Sequence, residues 1–184
     1  MDLLALFAGD KANQVDYQTY FQAKDMHQKG ADPEKIWNET GWFQGLDGKW
    51  RFELDDSKSQ LRGQASGSLA DMYSHGGGLL ENYPRLMDTK INYQPRTSGN
   101  VNGSFYQDGS QIDLRPKQEE DPLQILTHEL QHAINKQQGW STGMNASQPG
   151  YKDNEGEREA RAAASRLYLT PDERKKRFPL KDWK

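Results

Sequence analysis

The sequence predicts an α+β fold, with a small antiparallel or mixed sheet packed on a helix that carries H-E-x-x-H, and a second helix towards the C-terminus. Three observations predict it. Residues 122–138 repeat apolar side chains at helical spacing between a capping aspartate and a glycine, and hold His128, Glu129 and His132. Short β-rich runs joined by an Asp-Gly turn lie just before that stretch. A second helical pattern follows it at 155–169. With 184 residues the chain reads as an N-terminal helical and Trp-rich segment (1–60) packed on a main domain (61–184), or as one single domain over 1–184.

In chain order, residues 14–29 place Val15, Tyr17, Tyr20, Phe21, Lys24 and Met26 at roughly helical spacing, with Gly30 as a stop. Asp32-Pro33 starts a second helix, with Asp32 as the N-cap and Pro33 at the first helical position. Asp47-Gly48 then sits between two aromatic runs (Trp42, Phe43, Leu46 and Trp50, Phe52, Leu54), which is a hairpin signal around a small aromatic core. Residues 55–78 are rich in Ser, Gly and Gln and read as a flexible connector over the surface, with a short helical candidate at SLADMYSH. Strands are expected at 89–94, 103–107 and 110–115, the last two joined by a tight turn at Asp108-Gly109. Asp121-Pro122 opens the motif helix, whose buried stripe is Leu123, Leu126, Leu130, Ala133 and Ile134. Residues 139–154 read as loop. The following helix buries Ala160, Ala163, Ala164 and Leu167, and the basic tail ERKKRF beyond Pro171 reads as solvated surface.

Composition narrows the function classes. A net charge of −3 and a pI near 5.8 give no basic footprint, so no nucleic-acid partner is expected. Only 33% of residues are hydrophobic and the mean hydropathy is −1.07; five Trp, eight Tyr and six Phe supply much of the buried area instead. No run approaches the roughly 18 apolar residues of a membrane helix, and the first residues lack the basic start of a signal peptide. There is no cysteine, so any metal must be held by histidines and carboxylates.

The motif supplies such ligands. Residues four apart share a helix face, so His128 and His132 can bind one ion together. Glu129 lies about 100° further round, out of reach as a ligand but within reach of a bound water. A catalytic Zn2+ takes three protein ligands and a water whose pKa it lowers to about 7. Glu129 would take the proton as that water attacks a carbonyl, then hand it to the leaving group. Two histidines at this spacing around a glutamate arise by chance in roughly one such chain in a hundred or fewer. The third ligand should come from the next helix. Measured from the centre of its apolar stripe, Glu157 lies about 70° away and Glu159 about 90°, while Glu155 points outward. Glu157 is the expected ligand and Glu159 the alternative. A solvated, dipole-favoured helix start, with Glu157 paired to Arg161, accounts for the same acids without a metal. For polarising the substrate carbonyl the candidates are Tyr151, Arg158 and Tyr168, with Tyr151 on the loop preferred and Tyr168 expected to serve packing. The strand at 110–115 is expected to bind extended substrate by β-addition.

H-E-x-x-H followed by a glutamate on a later helix resembles the gluzincin metallopeptidases. In that family the glutamate often stands four residues before an Asp or Asn, with Ala just before that residue. The stretch EREAR is similar if Glu157 is the ligand and Ala160 the small residue, but Arg161 then departs from the pattern and cannot accept a hydrogen bond from a ligand histidine. A resemblance over more of the chain is carried by IWNETGWFQGLDGKWRFELDDS, LLENYPRLMD, LTHELQHAI and GEREAR, in that order. These are similar to a metallopeptidase region of large polyvalent proteins from phages and other mobile elements. The resemblance implies a zincin-like domain with zinc on His128, His132 and Glu157 and with Glu129 as the base, and no known substrate; Tyr151 as the second catalytic residue rests on its place in the loop, and a protein or peptide is the expected substrate. The resemblance also implies action in the bacterial cytoplasm, reached by synthesis there or by delivery with a virion. Two other readings stand beside it: an inactive zincin-like accessory module that binds a host or phage protein, and a phage nucleic-acid-binding protein, which the charge balance disfavours. A structural site would need a fourth protein ligand, and His75 is the spare histidine with reach.

Overall fold

Caps and turns named in the sequence govern how the N-terminal third of the chain is laid out. The computed structural model describes residues 6–54, 60–62, 66–74, 78–99 and 101–184. Strand β1 (Phe7–Ala8) comes first, followed by helix α1 (Tyr17–Gln28), whose N-cap Asp16 accepts from the Gln18 and Thr19 amides. Asp32 does the same for Glu34 and Lys35 at the start of α2 (Pro33–Thr40), which ends on Gly41 at φ 77°. Strands β2 (Trp42–Gln44) and β3 (Trp50–Glu53) form the expected hairpin, with Gly48 at φ 72° in the turn. β1 pairs with the other side of β3, so this sheet has the order β1-β3-β2. The sequence reading contains no strand at residues 7–8; a two-residue strand carries no alternation to read.

Residues 55–78 depart from the expected surface connector. Their described part contains β4 (Gln60–Leu61), β5 (Gly67–Ser68), α3 (Leu69–Met72) and β6 (Tyr73–Ser74), and β4 pairs with β6. Leu69, Met72 and Tyr73 are all buried, so this stretch belongs to the core. Next come α4 (Leu79–Asn82), a 3-10 turn (Pro84–Leu86) and strands β7 (Lys90–Tyr93), β8 (Gly103–Phe105) and β9 (Gln111–Leu114). The resulting mixed sheet has the order β5-β7-β9-β8, with β7 parallel to β9 and the other pairs antiparallel. β9 is therefore internal and offers no free edge to a substrate. The edge strands are β5 and β8, and β8 is the one beside the motif helix.

Helix α5 (Pro122–Gln138) lies on that sheet, capped by Asp121 and ended by Gly139 at φ 71°. Leu126, Leu130, Ala133 and Ile134 of its stripe are buried with Ile91, Ile112 and Leu114 of the sheet; Leu123 is half-buried. The loop 139–154 includes a 3-10 turn at Tyr151–Asp153, and Asn154 caps α6 (Glu155–Arg166). The chain continues through α7 (Pro171–Lys176) and a 3-10 turn (Pro179–Asp182). Seven α-helices and three small sheets among the described residues make the protein α+β.

The basic tail is only partly the solvated surface expected. Lys175, Lys176 and Arg177 are exposed, but Phe178 and Trp183 return to pack with Phe7, Trp37, Phe43, Ala162 and Ala163. Two arginines tie the same layers together. Arg166, fully buried, bonds Glu53 at 2.9 Å and Asp182 at 2.7 Å. Arg51 bonds Glu159 at 2.5 Å and Asp47 at 2.7 Å, with its guanidinium 4.0 Å from the Trp140 ring. A buried ion pair is weak evidence of net stability, but removing one partner strands a charge and costs about 3–5 kcal/mol.

Candidate metal centre

Helical spacing brings His128 and His132 together on the face of α5 that looks towards α6. Their Nε2 atoms are 3.1 Å apart. Glu157, in the first turn of α6, completes a triangle, with Oε2 3.3 Å from His128 Nε2 and Oε1 3.4 Å from His132 Nε2. A tetrahedral ion with bonds of about 2.05 Å spaces its donors by about 3.3 Å. The three edges thus have the dimensions that a zinc ion imposes, and the three side chains are of the kinds that zinc accepts.

Two further observations test the fit. Glu157 Oε2 is buried and makes no hydrogen bond among the described residues, which leaves a lone pair for an ion. Gly143, on the loop between the helices, passes so close that a Cβ there would stand 2.5 Å from Glu157 Oε1 and 2.8 Å from His132 Nε2. The backbone thus forms a lid on one side of the triangle, and the adjoining Met144 amide donates to Glu157 Oε1 at 3.0 Å. Burial pulls the Glu157 carboxyl upward, but the imidazoles of His128 and His132, at 3.3 and 3.4 Å, outweigh it and hold it well below the usual carboxylate range. Residues and geometry fit zinc. One outer contact is missing: His132 Nδ1 is buried without a partner among the described residues, although ligand histidines usually donate that N–H to an acceptor.

Glu129 stands beside the triangle without joining it. It is buried, and burial pushes its carboxyl up to about 7; the neighbouring His128 pulls it down, Glu157 adds to the rise, and the Phe105 amide pulls it back. Gly103 makes room for it, since a Cβ there would lie 2.4 Å from Glu129 Oε1. The register also exposes this edge. Asn102 and Tyr106 bond to β9 through Arg115 and Gln111, so in the alternating antiparallel pattern Gly103 and Phe105 turn their backbone groups away from β9. All of this borders an open cleft of about 720 Å³, which His128, Glu129, His132, Glu157 and Tyr151 line together with β8.

The remaining candidates separate clearly. Tyr151 lies in the cleft; burial lifts its hydroxyl to about 12, and the charge of Glu157 and a hydrogen bond to it act in the same direction. Glu159 is turned away into the Arg51 pair, and burial raises it to about 6 against that arginine. It is not beside the histidines. Tyr168 is 60% exposed and bonds Asp121, the cap of α5. Neither Tyr168 nor Arg158 lines the cleft. Arg161 does line it, and donates to the Lys152 and Lys184 backbone oxygens rather than pairing with Glu157. His75 lies outside the described residues. The sequence reading missed Gly103 and Gly143, which read there as ordinary strand and loop glycines. Their signal is distance to a neighbour in space, which spacing along the chain does not carry.

With this geometry in view, residues 5–62 match the model of a domain found with large polyvalent proteins. The domain is large polyvalent protein associated domain 23, and the match covers less than a third of the chain and none of the metal triangle. No curated protein and no solved structure matches the chain. No helix among the described residues is long and apolar enough to cross a membrane.

Proposed function

We propose that this chain is a gluzincin-like zinc endopeptidase of a phage or mobile-element polyvalent protein, acting on protein or peptide substrates in the bacterial cytoplasm. The observation that carries the reading is the triangle of His128, His132 and Glu157 with Glu129 beside it at the open strand edge. The match of residues 5–62 supports the polyvalent-protein context. In this reading residues 61–184 hold the chemistry and residues 1–60 pack on them.

His128, His132 and Glu157 would hold the zinc. When bound, zinc supplies a water that ionises near pH 7 and a Lewis acid for the substrate carbonyl. The chain's own residues do the rest. The backbone groups of Gly103 and the Phe105 carbonyl on the edge of β8 would pair with an extended peptide beside the triangle, while the Phe105 amide holds Glu129. Glu129 takes a proton as the water oxygen bonds to the carbonyl carbon, and delivers it to the nitrogen as the C–N bond breaks. Its buried seat keeps bulk water from competing for that proton. Tyr151, which lines the cleft, would turn its hydroxyl from Glu157 to donate to the carbonyl oxygen as charge builds there.

Elemental analysis of the purified protein tests the site. The wild type should carry close to one zinc, and His128→Ala and His132→Ala should each lose it. Full zinc occupancy in both variants would remove the metal centre from the account.

A further inference from the structure

Arg161 is the one arginine or lysine lining the cleft among the described residues. It stands one helical turn after Glu157, on the same face of α6. Three other arginines are neutralised, Arg51 by Asp47 and Glu159, Arg166 by Glu53 and Asp182, and Arg115 by Asp113, and neither Arg158 nor Arg96 lines the cleft. Arg161 makes no ion pair with an Asp or Glu side chain among the described residues. Nη2 alone donates to two backbone oxygens, those of Lys152 at 2.5 Å and Lys184 at 3.3 Å, and Nη1 and Nε have no partner among the described residues. The head group is thus anchored at one nitrogen while two others remain available.

A fixed guanidinium with unused donors is a receptor for a carboxylate, because its planar fork loses little freedom on binding. The rest of the wall gives it no rival. Asn102, Gln107, Gln124 and Asn145 are neutral amides, and the carboxylates in the cleft, Glu129 and Glu157, belong to the metal centre. We propose that Arg161 is a specificity-determining residue that binds a carboxylate of the substrate on the α6 side of the metal triangle. This rests on the peptidase reading for its chemistry, but the binding site stands on Arg161 itself. The carboxylate has two sources, an Asp or Glu side chain near the scissile bond or the free C-terminus of the peptide.

The test uses synthetic peptides that carry Glu, Gln or Lys at one scanned position, each with a free and with an amidated C-terminus. Cleavage by zinc-loaded wild type, Arg161→Met and Arg161→Glu is followed by mass spectrometry. Binding of the same peptides is measured on zinc-loaded Glu129→Gln, with and without Arg161→Glu. Charged hydrogen bonds of this kind should favour the carboxylate over its amide by roughly ten- to a hundredfold. Arg161→Met should erase that preference, and Arg161→Glu should shift it towards Lys. Loss of the preference on amidation identifies a terminal carboxylate; its survival identifies a side chain. Cleavage that ranks the peptides identically with and without Arg161 overturns the proposal and leaves the peptidase reading standing. Arg161-dependent binding without cleavage does the reverse. Peptides that neither bind nor are cleaved overturn both.

Discussion

Replacing Gly143 by alanine adds one methyl group at the point where the loop crosses the metal triangle. That methyl would lie 2.5 Å from Glu157 Oε1, 2.7 Å from His132 Cε1 and 2.8 Å from His132 Nε2. To restore ordinary contact at 3.4 Å, Glu157 and the loop must separate by about 0.9 Å. The loop has little room to retreat. The Ser141 carbonyl accepts from Asn135 at 3.0 Å, and Gly156 of α6 sits so near the Ser141 and Thr142 carbonyls that its own Cβ would lie 2.4 Å and 2.6 Å from them. The displacement therefore falls on Glu157 and His132. Metal sites tolerate ligand shifts of about 0.2 Å, and disturbing even the outer partners of a ligand costs about 10–100-fold in affinity. Gly143→Ala should weaken zinc by at least that factor, measured by competition against a chelator, while circular dichroism of the zinc-free protein keeps the wild-type fold and thermal unfolding shows no more than the about 1–3 kcal/mol cost of an overpacked site. Zinc affinity equal to wild type would refute the argument that these three side chains and this loop form one centre.

Glu157→Ala should act chiefly on zinc, reducing its affinity by more than about a hundredfold, since an inner ligand outweighs an outer one, with a smaller loss of zinc-free stability from the carboxylate that the histidines hold ionised. Glu159→Ala should do the opposite, sparing zinc but leaving buried Arg51 with Asp47 as its remaining carboxylate, at a cost of at most about 3–5 kcal/mol, or no more than roughly 6–20 °C in Tm for a chain of this size; equal behaviour of the two variants would contradict their separate placement. For Glu129, the folded carboxyl is raised to about 7 from an ordinary 4.5. Its contribution to zinc-free stability is therefore fully present below 4.5 and lost as pH rises through 7, by about 3 kcal/mol at most. Urea unfolding should show metal-free wild type losing stability over that window and Glu129→Gln, which cannot ionise, losing less; parallel profiles would contradict the buried setting of Glu129.

The sequence is legible where one residue type has one physical job. Asp32 and Asp121 cap helices, Gly30 and Gly139 stop them, and the spacing of His128 and His132 puts both on one face of α5. Helical angle separated Glu157 from Glu155 but barely from Glu159, because both lie near the edge of the stripe. Arg51 distinguishes them, and it comes from a strand 108 residues away. The same holds for Phe178 and Trp183, two isolated aromatics in a charged tail whose partners belong to the N-terminal sheet and α6. Strand order is a further case. The Asp-Gly turn pairs β8 with β9, but that β9 is then covered by the parallel strand β7, leaving β8 as an edge, depends on a crossover that no local pattern encodes.

The central claim is hydrolysis of peptide bonds with Glu129 as the base. Its most direct test is mass-spectrometric detection of new peptide termini in bacterial proteins incubated with zinc-loaded wild type or with zinc-loaded Glu129→Gln. Loss of a general base typically costs about 10²–10⁴-fold in rate. The account predicts a defined set of new termini with the wild type and their loss with Glu129→Gln at equal zinc content. The same termini at the same rate from both proteins, or none from the wild type, would contradict it.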